Sequence, residues 1–322
     1  MVNKNSRALT SDNFGLFYVF GYYTKGADLN SRLNIFTDTP VTKSGNDWTS
    51  AINRYWIEGA NYSFYAYSCE NKHIAPDYGG PSIDKNDGTF RLNYTCHSEG
   101  GTSHDLVFAS ATDVVGKETG NEPVSLQFKH ILSKVNLNFV SEFPEGYIVE
   151  ISNISIENFQ NTGTFTANKK SVSDGTIGAW ANVDYDGKQP NKFTLNTKGN
   201  STTTLNGTPV VTSECYMIPH HYDPANSKDN PVKLQFNIKV TNPAIGNQTV
   251  LSNTLVGSWH PNWRSGTQYT YTVRLSGGSA GMEEIKFGVG MIDWNNPDED
   301  NRPEEIQIAL DYQLSAVQEQ LQ

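Results

Sequence analysis

Apolar side chains in this chain recur mostly at every second position. Val232, Leu234, Phe236, Ile238 and Val240 alternate with polar residues, the period of a strand with one face buried. The pattern returns in Tyr62, Phe64 and Ala66, with Ser63, Tyr65 and Tyr67 on the opposite side, and in Tyr269, Tyr271, Val273 and Leu275. An aromatic and β-branched run, Phe14 to Tyr23, predicts a further core strand. Shorter strands are predicted at 33–36, 90–94, 105–111, 147–151, 154–158, 163–167, 210–219 and 285–289. Gly-, Asn-, Asp- and Ser-rich turns separate them, and no helix is predicted before residue 300. Short strands with a turn about every ten residues predict an all-β sandwich architecture.

The stretch Val124 to Val140 organises the rest. Leu126, Phe128, Val135, Leu137 and Phe139 keep period two with one interruption. This predicts a long half-buried strand, bent or bulged between His130 and Ser133, that opens a second domain. Phe128, Val135, Leu137, Trp263 and Tyr271 are expected in the core. The polar, Gly-bearing break Gly116 to Pro123 marks the boundary. It gives an N-terminal β-sandwich over 1–118, a C-terminal β-sandwich over 119–296, and a linker with an assembly tail over 297–322.

In that tail Ile306, Ile308, Leu310, Tyr312 and Leu314 alternate without a fault. As a strand they share one side and suit docking into another subunit by β-augmentation. A helix competes, because Ile306, Leu310, Leu314, Val317 and Leu321 recur at helical spacing. The unbroken alternation favours the strand, and both readings present an apolar face to a partner chain.

Composition narrows the function. The 322 residues carry a net charge of −10 and a pI near 5.2, which opposes nucleic acid as a partner because no basic field exists to neutralise phosphates. No apolar run approaches the roughly 20 residues that span a bilayer. Met1 to Arg7 lacks the apolar region of a signal peptide, so either the protein stays inside a cell or the sequence starts after an export signal. Cys69, Cys96 and Cys215 leave one thiol unpaired at best. Cys69 and Cys96 could bridge two strands, while buried free thiols are the preferred reading.

Candidate chemistry is sparse. His130 reads as a packed or hydrogen-bonded histidine at a strand bend. His220 and His221 point oppositely if they lie on a strand, and no further ligands stand at a metal-binding spacing. Asp298, Glu299 and Asp300 lack the glycine and spacing of a calcium loop and read as a solvated linker. No phosphate-binding loop or nucleophile motif is present. The expectation is no catalytic residue, no cofactor and no metal. The Tyr and Trp residues read as core rather than as a sugar-binding platform.

Several segments, in order, resemble the fimbrillin family of Bacteroidales pili. They are Trp48 with Tyr62 to Tyr67, Leu126 to Val135, Tyr216 to Pro219, Trp263 with Gly266 to Tyr271, and Ile285 to Phe287 with Trp294. The resemblance implies two tandem transthyretin-like β-sandwich domains, to which the tail adds a C-terminal extension. It implies an extracellular protein of the cell-surface pilus or outer membrane, whose partners are copies of itself or related pilins, and a host surface ligand. In the family a protease removes the first strand after an arginine, and the groove left behind accepts a strand from the next subunit. Arg7 stands where that cut would fall. Two departures stand out: no lipoprotein signal or extra strand precedes Ser6, and the chain runs on well past Trp294. They keep open an alternative, a virion structural protein of a phage that shares the fold.

Overall fold

The computed structural model describes residues 9–26, 32–71, 74, 80–96, 104–170, 177–182, 192–195, 202–212, 214–223, 225, 230–276 and 286–293. The chain opens with β1 (Leu16–Thr24), β2 (Leu33–Ser44), β3 (Asp47–Thr49) and β4 (Asn61–Cys69). Next come the short β5 (Ser82–Ile83) and β6 (Phe90–Thr95), then β7 (Leu106–Val115) and β8 (Lys129–His130). Four strands follow: β9 (Ser133–Ser141), β10 (Ile148–Glu157), β11 (Thr162–Ala167) and β12 (Ala179–Asn182). After β13 (Lys192–Leu195), β14 (Thr202–Leu205), β15 (Val210–Val211) and β16 (Cys215–Met217), the chain forms the long β17 (Val232–Asn242) and β18 (Gln248–Trp259). It then runs through β19 (Thr267–Leu275) and β20 (Lys286–Asp293).

These strands build four sheets. The first has the order β3-β2-β1-β4-β7-β8 and the second β12-β11-β6-β5. The third is β13-β10-β17-β18 with β14 also on β10, and the fourth β15-β9-β19-β20 with β16 also on β9. Ring contacts show which sheets stack. Phe108 of the first sheet meets Phe90 and Phe165 of the second at 5.1 and 4.9 Å between ring centroids. Phe236 of the third meets Phe139 of the fourth at 5.2 Å. The architecture is therefore all-β, as expected, with face-to-face sheets.

The expected boundary at residues 118 and 119 does not separate these layers. Strands β11 and β12 follow it in sequence, yet β11 pairs with β6 from Thr162↔Thr95 to Ala167↔Phe90. One cluster of buried side chains runs from Phe20, Tyr65 and Phe90 through Phe139 and Phe236 to Trp263. Strands β11 and β12 thus share a sheet with β5 and β6.

The predicted central strand is two elements. Residues 121–128 form no strand, and β8 joins β7 for two residue pairs, Val107↔His130 and Phe108↔Lys129. Ile131 and Leu132 are fully buried, and β9 then enters the fourth sheet, parallel to β19. The interruption seen in the sequence is thus a crossing between sheets, not a bulge. Val135, Leu137 and Phe139 pack in the main core, as do Trp263 and Tyr271. Phe128 is a correction: it is only half-buried and packs on a different cluster, over the outer face of the first sheet.

The stretches 147–151 and 154–158 form one strand, β10. Its register against β17 shifts between Ser152 and Ser155, where Asn153 takes a left-handed φ of 52°, a conformation Asn tolerates better than most residues. Gly21 marks a close approach in β1, where a Cβ would stand 3.0 Å from the Phe64 ring and 3.1 Å from the Phe36 ring. Cys69, Cys96 and Cys215 are buried free thiols.

Candidate functional site

The first sheet is apolar on both faces because β1 and β4 carry large side chains at odd and even positions alike. Phe20 and Tyr22 with Tyr65 and Tyr67 face the main core. Phe17 and Val19 with Tyr62, Phe64 and Ala66 face outward. No second sheet covers that outer face among the described residues. Trp56 and Ile57 cover part of it, with the Trp56 ring 4.7 Å from that of Tyr62. The crossing segment adds Val124, Leu126 and Phe128, which are half-buried, while Ser125 and Gln127 between them are exposed.

This cover leaves a cleft of about 680 Å³. Its floor is a group of four aromatic rings. Phe128 lies 4.7 Å from Phe14 and 5.2 Å from Phe17, and Trp48 lies 5.3 and 5.1 Å from the same two rings. Leu9, Val107, Val124 and Leu126 add aliphatic wall, and Thr10, Ser11, His130, Lys134 and Gln268 supply the polar lining. Trp48 is 39% exposed, with the Lys43 ammonium 6.0 Å from its ring centre.

A buried polar knot holds the cleft where the chain crosses between sheets. Asp105 is fully buried and accepts the Leu9 N–H at 2.7 Å. Its carboxylate also meets His130 Nδ1 at 2.9 Å. Beside it, His104 Nδ1 lies 2.7 Å from Glu70 Oε2. Lys134, nearly buried, pairs with Glu214 at 2.6 Å, and Glu214 also accepts the Tyr216 hydroxyl at 2.8 Å. Burial, with Asp105, Glu214 and Glu70 nearby, pushes the Tyr216 phenol far above its ordinary range, so it stays a neutral donor. The bonds fix the N-terminal arm and the crossing against each other. Buried polar groups persist because each has a partner.

His130 is thus a hydrogen-bonded histidine at the bend. His220 packs edge-on to Tyr222 at 4.2 Å, and His221 bridges to Asn262. Asp223 accepts the Ala225 N–H at 2.9 Å. Among the described residues no three His, Cys, Asp or Glu side chains converge to hold a metal, and no helix is long and apolar enough to cross a membrane. Arg7, Ile306, Ile308, Leu310, Tyr312, Leu314 and the Asp298 to Asp300 cluster lie outside the described residues. Sequence reasoning missed the cleft. Phe14, Phe17 and Phe128 read as ordinary strand aromatics, and the one available signal was that β1 and β4 are apolar on both faces.

Three solved structures illustrate the comparisons with known proteins. A protein ascribed to cell adhesion from Bacteroides uniformis is 15% identical, with 91% of this chain and 94% of that one covered, at a TM-score of 0.46. Another from Bacteroides ovatus is 13% identical, with 89% of each chain covered, at a TM-score of 0.49. The fimbrial anchor protein Mfa2 from Porphyromonas gingivalis is 12% identical, with 87% of this chain and 89% of that one covered, at a TM-score of 0.35. No curated protein sequence matches. The family profile described as fimbrillin-like matches residues 4–294, so it takes in the strands that build the cleft, and the chain belongs to the fimbrillin-like family.

Proposed function

We propose that this chain is a structural and adhesive subunit of a surface pilus, without enzymatic activity, that assembles by strand exchange between copies or with related pilins. The observation that carries this reading is the open aromatic cleft on the outer face of the first sheet. A face this apolar is normally covered, and here its cover is a single unpaired segment and a short loop. The tail supplies a matching occupant. Ile306, Ile308, Leu310, Tyr312 and Leu314 would lie on one side of a strand about 30 Å long. Burying five such side chains contributes on the order of 8–15 kcal/mol gross, against a large cost of ordering the segment. Arg7 would be the processing point that frees the arm beside the cleft, and a host surface ligand would be engaged by the assembled filament.

The test is deletion of residues 304–322. The shortened protein should stay folded, should no longer polymerise and should bind a synthetic 304–322 peptide, with a change in Trp48 fluorescence. A Leu310→Asp peptide should bind at least roughly tenfold more weakly, since a charge would enter an apolar site. Continued polymerisation after the deletion, or a peptide that leaves Trp48 unaffected, would overturn strand exchange into this cleft.

A further inference from the structure

Strand β18 ends the third sheet. It pairs with β17 on one side, and among the described residues no strand pairs with its other side. Proteins usually blunt such edges with short strands, charges, proline or bulges, and β18 has a bulge near its start, at Val250. Yet β18 runs for 12 residues, Gln248–Trp259, without a charged residue or a proline. Its neighbour β17 carries Lys233 and Lys239, so the sheet does not lack charge in general. Val250 and Val256 are 49% and 43% exposed, Val256 in the regular part of the strand and Val250 at the register shift. Leu251 and Leu255, on the face opposite Val256, pack against the core.

The order of residues along this edge is nearly symmetric about Asn253. Ser252 and Thr254 flank it, then Leu251 and Leu255, then Val250 and Val256. A two-fold axis through Asn253 would set Leu opposite Leu, Val opposite Val and Ser opposite Thr in an antiparallel pair. Self-complementarity of this kind is what an isologous contact between identical chains requires. Directly opposed β-branched pairs stabilise it, and no like charges are brought together.

We propose that β18 pairs with β18 of a second copy about this axis, joining two third sheets into one continuous sheet. The interface is independent of the cleft and the tail. It is a modest one, because a single strand pair buries less than the roughly 1,200–2,000 Å² of a standard interface. The Thr254 N–H, held now by the Asn253 side chain at 2.9 Å, is a local bond at the axis that pairing must replace. Dimerisation is therefore concentration-dependent.

Cysteine cross-linking of the full chain tests the register. Asn253→Cys sets two thiols on the axis, with opposed Cα atoms about 4.5–5.5 Å apart, inside disulfide range. Gln248→Cys leaves its two thiols roughly 33 Å apart. Under mild oxidation Asn253→Cys should give a covalent dimer and Gln248→Cys should not. Adding Val250→Lys with Val256→Lys opposes like charges twice and should cut the dimer yield roughly tenfold or more. Val250→Lys with Val256→Glu sets each Lys against a Glu and should restore it. A far-UV spectrum and a melting curve establish that each charge variant is folded. If one is not, the pair of single-cysteine variants decides alone. Absence of cross-linking at 253, equal cross-linking at 248, or a double-lysine protein that keeps its dimer overturns the proposal.

Discussion

The two faces of the first sheet are built from the same strands and end differently. On the inner face Phe20, Tyr65 and Phe108 meet the rings of a second sheet, and Tyr65 and Phe108 are fully buried. On the outer face Phe17 is buried but meets Trp48, which is 39% exposed, and the half-buried Phe128. The residue types are nearly interchangeable. Among the described residues, what differs is the cover: a hydrogen-bonded sheet on one side, and on the other the segment 121–128, which forms no strand. A sheet opposite presents a continuous surface held by its own ladder, whereas a lone segment fills only the line along which it runs. One face is therefore a core, and the other, among the described residues, is a core with a cleft.

Substitution on the closed face is the strongest probe of this contrast. Phe108→Ala should destabilise by about 3–5 kcal/mol, since the fully packed ring would leave a cavity. Urea unfolding measures it, and a loss below that of an outer-face aromatic would break the comparison. Asp105→Ala comes next, at about 2–3 kcal/mol, because His130 and the Leu9 N–H would both lose a buried hydrogen-bond partner. Its second signature should be faster proteolysis of the N-terminal arm. Phe128→Ala should cost only about 1–2 kcal/mol, in keeping with its partial burial. It should however abolish uptake of the 304–322 peptide, and a variant that binds normally would detach the cleft from assembly.

The smallest effect is one that appears only in alkali. Burial pushes the Cys96 thiol up to about 12 from 9.0 and the Tyr271 hydroxyl up to about 12 from 10.0. Both groups are neutral when protonated, and folding favours that form. Their contribution is complete below pH 9 and is lost as the pH rises towards about 12. Urea midpoints should therefore hold level up to pH 9 from these two groups and then fall. Cys96 in the folded protein should react with a thiol probe far more slowly than in urea. Rapid labelling of native protein at pH 8 would show that the closed face is not closed.

The strands were legible because period two and aromatic or β-branched content coincide in β1, β4, β17 and β19. The interruption at His130 was legible too, though not its meaning. A bulge and a crossing between sheets both break the alternation, and they differ only in which strand lies alongside. Phe128 and Leu137 carry the same signal and went to different clusters for that reason. The pairing of β11 with β6 was not legible, since nothing in Gly163 to Ala167 names a partner about seventy residues away. The symmetric Val250 to Val256 segment was readable as letters. Its being an outer edge was not.

The sequence by itself determined the all-β class, the approximate position of many strands, the thiol chemistry of three isolated cysteines and the family. Local pattern suffices for these, because strand period and turn composition are properties of neighbouring residues. The tertiary structure decided which apolar faces were sealed, where the chain passed between sheets, that Asp105 holds both His130 and the N-terminal arm, and which strand ended its sheet. Each of those depends on contacts between distant residues, and an alternating strand offers both of its faces and both of its edges equally until another element arrives to cover one.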